Sequence, residues 1–156
     1  MKEKESIIHV EGYASLFDRQ DLAFDLVRRG AFSASLISKG ASGVRMLFQH
    51  DASEPIGVWD SIREDHQGLW VKGRVFSDVP LGRTASALVR RRAIDGLSIG
   101  FRTRRARKQA QTRELLEVEL WEVSIVTFPM LPQARLRIVN TSNRFVANPV
   151  AASLAS

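Results

Sequence analysis

The hexapeptide Gly96-Leu97-Ser98-Ile99-Gly100-Phe101 is the stretch of this chain that decides the fold. Its alternation places Leu97, Ile99 and Phe101 on one face of a strand and Ser98 on the other. Glycine weakens a strand and is kept where a ligand or another backbone comes close. A hydroxyl between two such positions suits a nucleophile that attacks a peptide carbonyl. Taken alone, however, a strand that carries a solvated serine is the commoner explanation.

A histidine stands at the end of a second alternating stretch. Val44, Met46 and Phe48 share one face of a strand predicted over residues 44–50, and His50 falls in phase with them. A partly desolvated histidine needs a hydrogen-bond partner. A histidine satisfied by a backbone carbonyl is again the commoner case when the residue is taken singly.

A carboxylate lies within a third alternating stretch, residues 115–128. Its pattern puts Glu122 on one face with Val118, Leu120 and Ser124. An ionised carboxylate among apolar neighbours is costly unless it is paired and hydrogen-bonded. Glu122 therefore predicts a specific partner.

The three polar residues have complementary chemical needs. Glu122 needs a donor, His50 needs an acceptor, and the Ser98 hydroxyl needs a base to become nucleophilic. If their strands are neighbours in one sheet or barrel, a single chain of hydrogen bonds meets all three needs. The spacing in the sequence permits that adjacency without demonstrating it.

The rest of the chain predicts short strands with two helices. One domain is expected over residues 1–140, and residues 141–156, rich in Ala, Ser and Asn, predict a flexible tail. The predicted elements are a strand over 7–15, a short helix from Gly30 to Gly40, a hairpin of 56–63 with 69–76, a helix over 80–92, an exposed loop over 102–109 and a short strand over 136–139.

Composition excludes several classes of protein. The chain has 156 residues, 44% of them hydrophobic, with no cysteine and no apolar run long enough to span a membrane. With three scattered histidines and no HExxH spacing, a metallohydrolase is poorly supported, and no cofactor is expected. The net charge is +6, and ten basic residues against one acid lie between Arg83 and Arg113. This block fits an acidic partner or a phosphate backbone, and fits a solvated face at least as well.

Several segments in register resemble the prohead proteases of tailed phages, the capsid-maturation serine proteases also carried by gene transfer agents. The matching segments are Gly12-Tyr13-Ala14, Arg29-Gly30-Ala31-Phe32, Phe48-Gln49-His50-Asp51, Pro55-Ile56-Gly57, Gly68-Leu69-Trp70-Val71, Asp95-Gly96-Leu97-Ser98-Ile99-Gly100-Phe101 and Leu120-Trp121-Glu122-Val123-Ser124-Ile125-Val126-Thr127-Phe128-Pro129. Each is weak alone, but together they span about residues 10–135 in the family's order.

The resemblance implies a fold, a site and partners. The fold is β-rich α+β, similar to the herpesvirus assemblins: a small closed or nearly closed β-barrel of six to seven mostly antiparallel strands with flanking helices. The implied nucleophile is Ser98, the base is His50 and the acidic member is Glu122. The implied substrates are the scaffolding region of the major capsid protein, the protease itself and other prohead proteins such as the portal. A homodimer acting inside the assembling prohead, in the cytoplasm of the bacterial host, is also implied.

An alternative from a different class is a non-enzymatic basic β-barrel that binds scaffold or nucleic acid in the prohead. The basic block and the small size support it. It leaves Ser98 between its glycines, and two polar groups on apolar faces, without an explanation.

Overall fold

The computed structural model describes residues 7–139. These residues form eight strands and two α-helices, with a short 3-10 turn at Ala41–Gly43. The elements in chain order are β1 Ile7–Leu16, β2 Asp25–Val27, α1 Ser33–Lys39, β3 Arg45–Phe48, β4 Gly57–Glu64, β5 Gly68–Phe76, α2 Pro80–Arg90, β6 Gly96–Gln109, β7 Thr112–Val126 and β8 Leu136–Ile138. The tail predicted over residues 141–156 lies outside the described residues.

Strand β7 is the centre of the sheet because it pairs with three other strands. β6 lies antiparallel along almost the full length of β7. The other edge of β7 is shared by two short parallel strands, β2 toward its beginning and β3 toward its end. From β3 the sheet continues through β4, β5 and β1 to β8. The sheet is therefore mixed.

The fold prediction is correct in class and wrong in part of its architecture. The protein is β-rich α+β with flanking helices, and its strand pairings are mostly antiparallel, with two parallel ones. The described residues form eight strands, however, rather than six or seven. Between β8 and β6 there is one isolated bridge, Gly96 with Arg135, in place of a ladder. The predicted closed or nearly closed barrel is therefore not confirmed.

Most of the predicted elements are present with shifted ends. The hairpin and the first strand form where the alternation of apolar residues predicts them, and both helices form where the helical spacing predicts them. The exposed loop predicted over residues 102–109 is wrong, because this basic stretch continues β6 and pairs with β7. Its side chains are exposed, but its backbone hydrogen bonds are satisfied by the neighbouring strand, so high charge does not end the strand here.

The core lies against the inner face of the sheet. Its largest fully buried side chains are Phe32, Met46, Ile56, Leu69, Leu97, Leu115, Leu120, Ile125, Val10, Val71, Val75 and Val118. Helix α1 is fixed to β7 by Ser35, whose hydroxyl accepts a hydrogen bond from the Leu120 amide at 2.9 Å. Ile37, an apolar residue of this helix, is 87% exposed. Neither helix among residues 7–139 is long and apolar enough to cross a membrane.

Candidate active site

Ser98 lies on β6 directly opposite Ser124 of β7. The next same-face pair along this ladder is Gly100 with Glu122. Residues that face each other in an antiparallel ladder project from the same side of the sheet. Ser98, Ser124 and Glu122 therefore share one face, and Ser98 is buried at 7% exposure.

A β-bulge at Trp121 places Glu122 on this face. Gly100 pairs with Glu122, whereas the next residue, Phe101, pairs with Leu120, so Trp121 is the extra residue. The prediction that Glu122 shares a face with Leu120 is therefore wrong. Leu120 turns into the core, where it is fully buried, and the bulge turns Glu122 to the opposite side.

The Glu122 carboxylate lies across Gly100. A Cβ atom at position 100 would come within 2.8 Å of the carboxyl carbon of Glu122, much closer than such atoms approach in proteins. The sequence indicates that something comes close to this glycine. The structure shows that it is the acidic side chain on the neighbouring strand.

His50 lies in a tight turn after β3 rather than within a strand. β3 ends at Phe48, and both Gln49 and His50 adopt left-handed backbone angles, with φ of 55° and 60°. The prediction of a strand through residue 50 is wrong for this reason. A left-handed conformation costs a residue with a side chain about 1–2 kcal/mol. The turn therefore needs contacts that hold it.

Hydrogen bonds to the end of β7 hold the turn. The Gln49 amide donates to the Ile125 carbonyl at 2.9 Å. The Gln49 side chain donates to the Thr127 hydroxyl at 2.5 Å and accepts from the Thr127 amide at 3.1 Å. The His50 amide donates to the Ser124 hydroxyl at 3.1 Å. Both left-handed residues are thus bonded to the strand that carries Glu122.

The His50 ring and the Glu122 carboxylate form a direct pair. His50 Nδ1 is hydrogen-bonded to Glu122 Oε1, and this contact raises the pKa of His50, against an opposing effect of burial. The second carboxylate oxygen of Glu122 accepts a hydrogen bond from Ser124 Oγ at 2.6 Å. The Glu122 side chain is 11% exposed and that of His50 is 44% exposed. The acid is thus enclosed and the ring is open to solvent.

The structure therefore brings the predicted residues together to different degrees. His50 and Glu122 are in direct contact. Ser98 shares their face through its pairing with Ser124, but its hydroxyl makes no hydrogen bond to either residue within the described part of the chain.

The alternating pattern places Ser124 on the same face as Glu122, two residues further along the strand, but it does not indicate that Ser124 supports the site. It gives no indication of Gln49. The role of Gln49 could not be predicted, because its bonds to Thr127 depend on the parallel pairing of β3 with β7.

The fold is that of the herpesvirus proteases and of a phage capsid protease. A Kaposi's sarcoma herpesvirus protease, solved with a hexapeptide phosphonate inhibitor, superposes with a TM-score of 0.60 at 13% identity, covering 90% of this chain and 68% of that one. Varicella-zoster virus protease gives 0.56 at 14% identity, with the same coverage of 90% and 68%. The capsid assembly protease of bacteriophage T4 gives 0.57 at 16% identity, covering 76% of this chain and 80% of that one.

The sequence identifies the family within this fold. The profile of the Caudovirus prohead serine proteases matches residues 1–148, and the chain belongs to that family. The prohead protease of Enterobacteria phage HK97 is 33% identical over 135 residues. That alignment covers 80% of this chain and 56% of the phage protein, so the chain spans little more than half the length of this relative.

Proposed function

We propose that this protein is a serine endopeptidase of capsid maturation, with Ser98 as nucleophile, His50 as general base and Glu122 as the acid that orients the base. The observation that carries the proposal is the bond between His50 Nδ1 and Glu122 Oε1 on the face that also bears Ser98. The family supports the reaction type, and the geometry supports the roles of these residues.

The geometry supports one direction for the proposed proton transfer. Because Nδ1 of His50 is bound by Glu122, the ring is left with Nε2 as the atom that accepts the Ser98 proton. As Ser98 Oγ attacks a peptide carbonyl, His50 becomes an imidazolium that the Glu122 carboxylate stabilises. The same ring then donates its proton to the leaving amine, and water hydrolyses the acyl group on Ser98.

The proposed substrates follow from the family and its relatives. One relative is named as a prohead protease and a structural neighbour as a capsid assembly protease. We therefore assign as substrates the scaffolding region of the major capsid protein, other prohead proteins such as the portal, and the protease itself. The place of action is the assembling prohead in the host cytoplasm, and the proposed active form is a homodimer.

The outer part of the β6/β7 hairpin, residues 102–117, is a candidate docking surface for this substrate. We refer to it as the basic arm. Three of its cations, Arg102, Arg105 and Lys108, are exposed and form no ion pair with any residue in the described range 7–139. An acidic scaffold segment would complement this charge. The same charge supports the alternative of a non-enzymatic barrel that binds scaffold or nucleic acid.

An activity-based probe separates the enzyme from the non-enzymatic alternative. A fluorophosphonate reacts with a serine hydroxyl only where the hydroxyl is activated, so we expect stoichiometric labelling of the protein and none of Ser98→Ala. Ser86→Ala, which alters a buried serine on α2, serves as the matched control and keeps full labelling. Equal labelling of the Ser98→Ala protein would refute the nucleophile assignment.

Co-expression tests the substrate. The protein, or its Ser98→Ala form, is produced together with the major capsid protein of the same genome, and the mass of the capsid subunit is measured. We expect a shortened subunit only with the unaltered protease. A full-length subunit in both cases, from a protease that the probe labels, would refute the substrate and leave the enzyme class standing.

A further inference from the structure

Ser124 is the most completely buried polar side chain beside the candidate site. It has no exposed surface, and the proton relay described above does not use it. A serine hydroxyl has one proton to donate and two lone pairs that accept. Here the proton goes to Glu122 Oε2 at 2.6 Å, and a lone pair receives the His50 amide at 3.1 Å.

These bonds close a ring. The ring runs from the His50 backbone amide through the Ser124 hydroxyl to one oxygen of Glu122, and from the other oxygen back to the His50 imidazole. A carboxylate held at both oxygens cannot rotate without breaking a bond. A histidine held at its backbone and at its ring has little freedom to move relative to that carboxylate.

We propose that Ser124 is a positioning residue that fixes His50 and Glu122 relative to each other through this single hydroxyl. Its effect on hydrolysis rests on the function proposed above, whereas its effect on the His50–Glu122 pair does not.

The left-handed turn explains why such a residue is needed. Gln49 and His50 both have unfavourable backbone angles, so without partners this segment would relax. Gln49 fastens the turn to Ile125 and Thr127, beyond the carboxylate. Among the described residues, Ser124 makes the only side-chain bond that joins the turn backbone to Glu122 itself.

Few other charged groups approach the pair. Arg45 of β3 pairs in register with Glu122, but its guanidinium donates to the Ser42 carbonyl at 3.0 Å. Asp51, the next residue after His50, is engaged by the amide and hydroxyl of Ser53. Changes in the titration of His50 therefore report mainly on its contact with Glu122.

The test is to measure the pKa of His50 in Ser124→Ala by an NMR titration of the imidazole signals, without substrate or probe present. The His50 signal is distinguished from those of His9 and His66 by its loss in His50→Gln. Without the hydroxyl, the carboxylate and the turn both loosen, so we expect the pKa of His50 to fall toward the ordinary histidine value. An unchanged titration would overturn the proposal.

Ser35→Ala is the matched control. Ser35 is also buried and its hydroxyl also accepts an amide of β7, but it touches no carboxylate. We expect it to lower thermal stability comparably and to leave the His50 titration at its original position. If both variants shift His50 equally, Ser124 acts only through general stability and the proposal fails.

The rate of fluorophosphonate labelling provides a second readout. Displacement of a catalytic group by about 1 Å can cost about 10²-fold, so we expect Ser124→Ala to label about 10-fold to 10²-fold more slowly, with its pH profile moved to lower pH. A pH profile identical to that of the unaltered protein would contradict a positioning role.

Ser124→Cys keeps the test decisive if the alanine variant does not fold. The thiol fills nearly the same space but is a weak donor and acceptor, so the His50 pKa should again lie below that of the unaltered protein. A titration equal to that of the unaltered protein would overturn the proposal. If the unaltered protein is not labelled at all while Ser124→Ala still lowers the pKa of His50, the enzyme proposal fails and the positioning inference stands.

Discussion

Gly100 gives the Glu122 carboxylate the space it occupies, and it is the residue where a single methyl group should do the most damage. In Gly100→Ala the new Cβ would collide with that carboxylate, which must then move away from His50. We expect labelling by the fluorophosphonate to slow by about 10²-fold. The midpoint of thermal unfolding should change little.

A double-mutant comparison tests this explanation. In a Glu122→Ala background there is no carboxylate to displace, so Gly100→Ala should have little further effect on labelling. A full additional loss in that background would show that Gly100 acts by some other route, for example through the backbone of β6.

The charge of Glu122 sets the pH dependence of the base. The proposed general base, His50, must be neutral to accept a proton, and Glu122 raises its pKa, so the acid limb of the labelling rate should lie above the ordinary histidine pKa. Glu122→Gln should move that limb to lower pH. It should also reduce the maximal rate by about 10²-fold to 10⁴-fold, because the imidazolium loses its counter-charge.

The stability of the folded protein should depend on the protonated form of His50, whereas the labelling reaction needs the neutral form. A histidine whose pKa is raised in the folded protein stabilises it fully below the unfolded-state pKa and loses that stabilisation as the pH rises through the folded-state value. The difference in free energy of unfolding between the unaltered protein and Glu122→Gln should therefore be larger at about pH 5 than at about pH 9. A difference independent of pH would contradict the pairing.

At this scale the sequence predicts residue types better than their surroundings. Ser98 between glycines and an acid that needs a partner are both visible in the pattern. The bulge at Trp121 is not, because strict alternation assumes one residue of β7 for each residue of β6. The left-handed angles of His50 are not visible either, since they depend on bonds to a strand more than seventy residues away.

The hairpin of β6 and β7 is anchored near its tip by a buried carboxylate. Glu114 has a side chain only 3% exposed and lies between Arg28 and Arg107, with Nη2 to oxygen distances of 2.5 Å to each. The hydrogen bond from Arg28, and to a smaller extent that from Arg107, holds the pKa of Glu114 below its usual value. Because Arg28 follows β2 closely, this cluster links the hairpin to the strand beside it.

Glu114→Gln should lower the midpoint of thermal unfolding at about pH 7. A carboxylate with a lowered folded-state pKa stabilises the protein above its unfolded-state pKa and stops doing so as the pH falls through the folded-state value. The gap between the two proteins should therefore close in acid. Glu119→Gln, which alters a more exposed carboxylate paired with Arg104, is the control and should have a smaller effect. Equal effects of the two variants would argue against an anchoring role.

Elements with strong local patterns were predictable and those with non-local causes were not. The hairpin of β4 and β5 and helix α2 follow from alternation, turn residues and a proline at the helix start. The strand nature of residues 102–109 was missed because their charge excludes burial, whereas a strand needs only a partner for its backbone.

At the scale of the whole molecule, the exposed charge of the basic arm predicts that the protein binds an acidic partner with an affinity that falls as the salt concentration rises. Replacement of Arg102 and Arg105 by glutamate should weaken binding to an acidic scaffold segment, and the loss should shrink as salt shortens the screening length below about 10 Å. Labelling of Ser98 should be unaffected, since the arm is not part of the proton relay. Binding measured at several salt concentrations checks this.

Nucleic acid provides the contrasting outcome. If the double variant loses affinity for DNA and keeps its affinity for the scaffold, the basic arm binds the phosphate backbone instead, and the alternative function gains support.

The order of the strands in the sheet could not have been predicted from the sequence, because the parallel pairing of β7 with β2 and β3 joins segments that are far apart in the chain.

The extra residue in β7 has a consequence for how chains of this kind can change length. Removal of Trp121 alone would leave Glu122 opposite Gly100 and Leu120 opposite Phe101, so the acid would keep its face and only the bulge would be lost. Removal of Val123, in contrast, would put Glu122 and Ser124 on opposite faces of the strand and so separate the carboxylate from the hydroxyl that binds it. An insertion at the Ala110–Gln111 tip would leave that phase intact. Length variation among functional relatives should therefore be found at the tip or at the bulge, and not between Glu122 and Ser124.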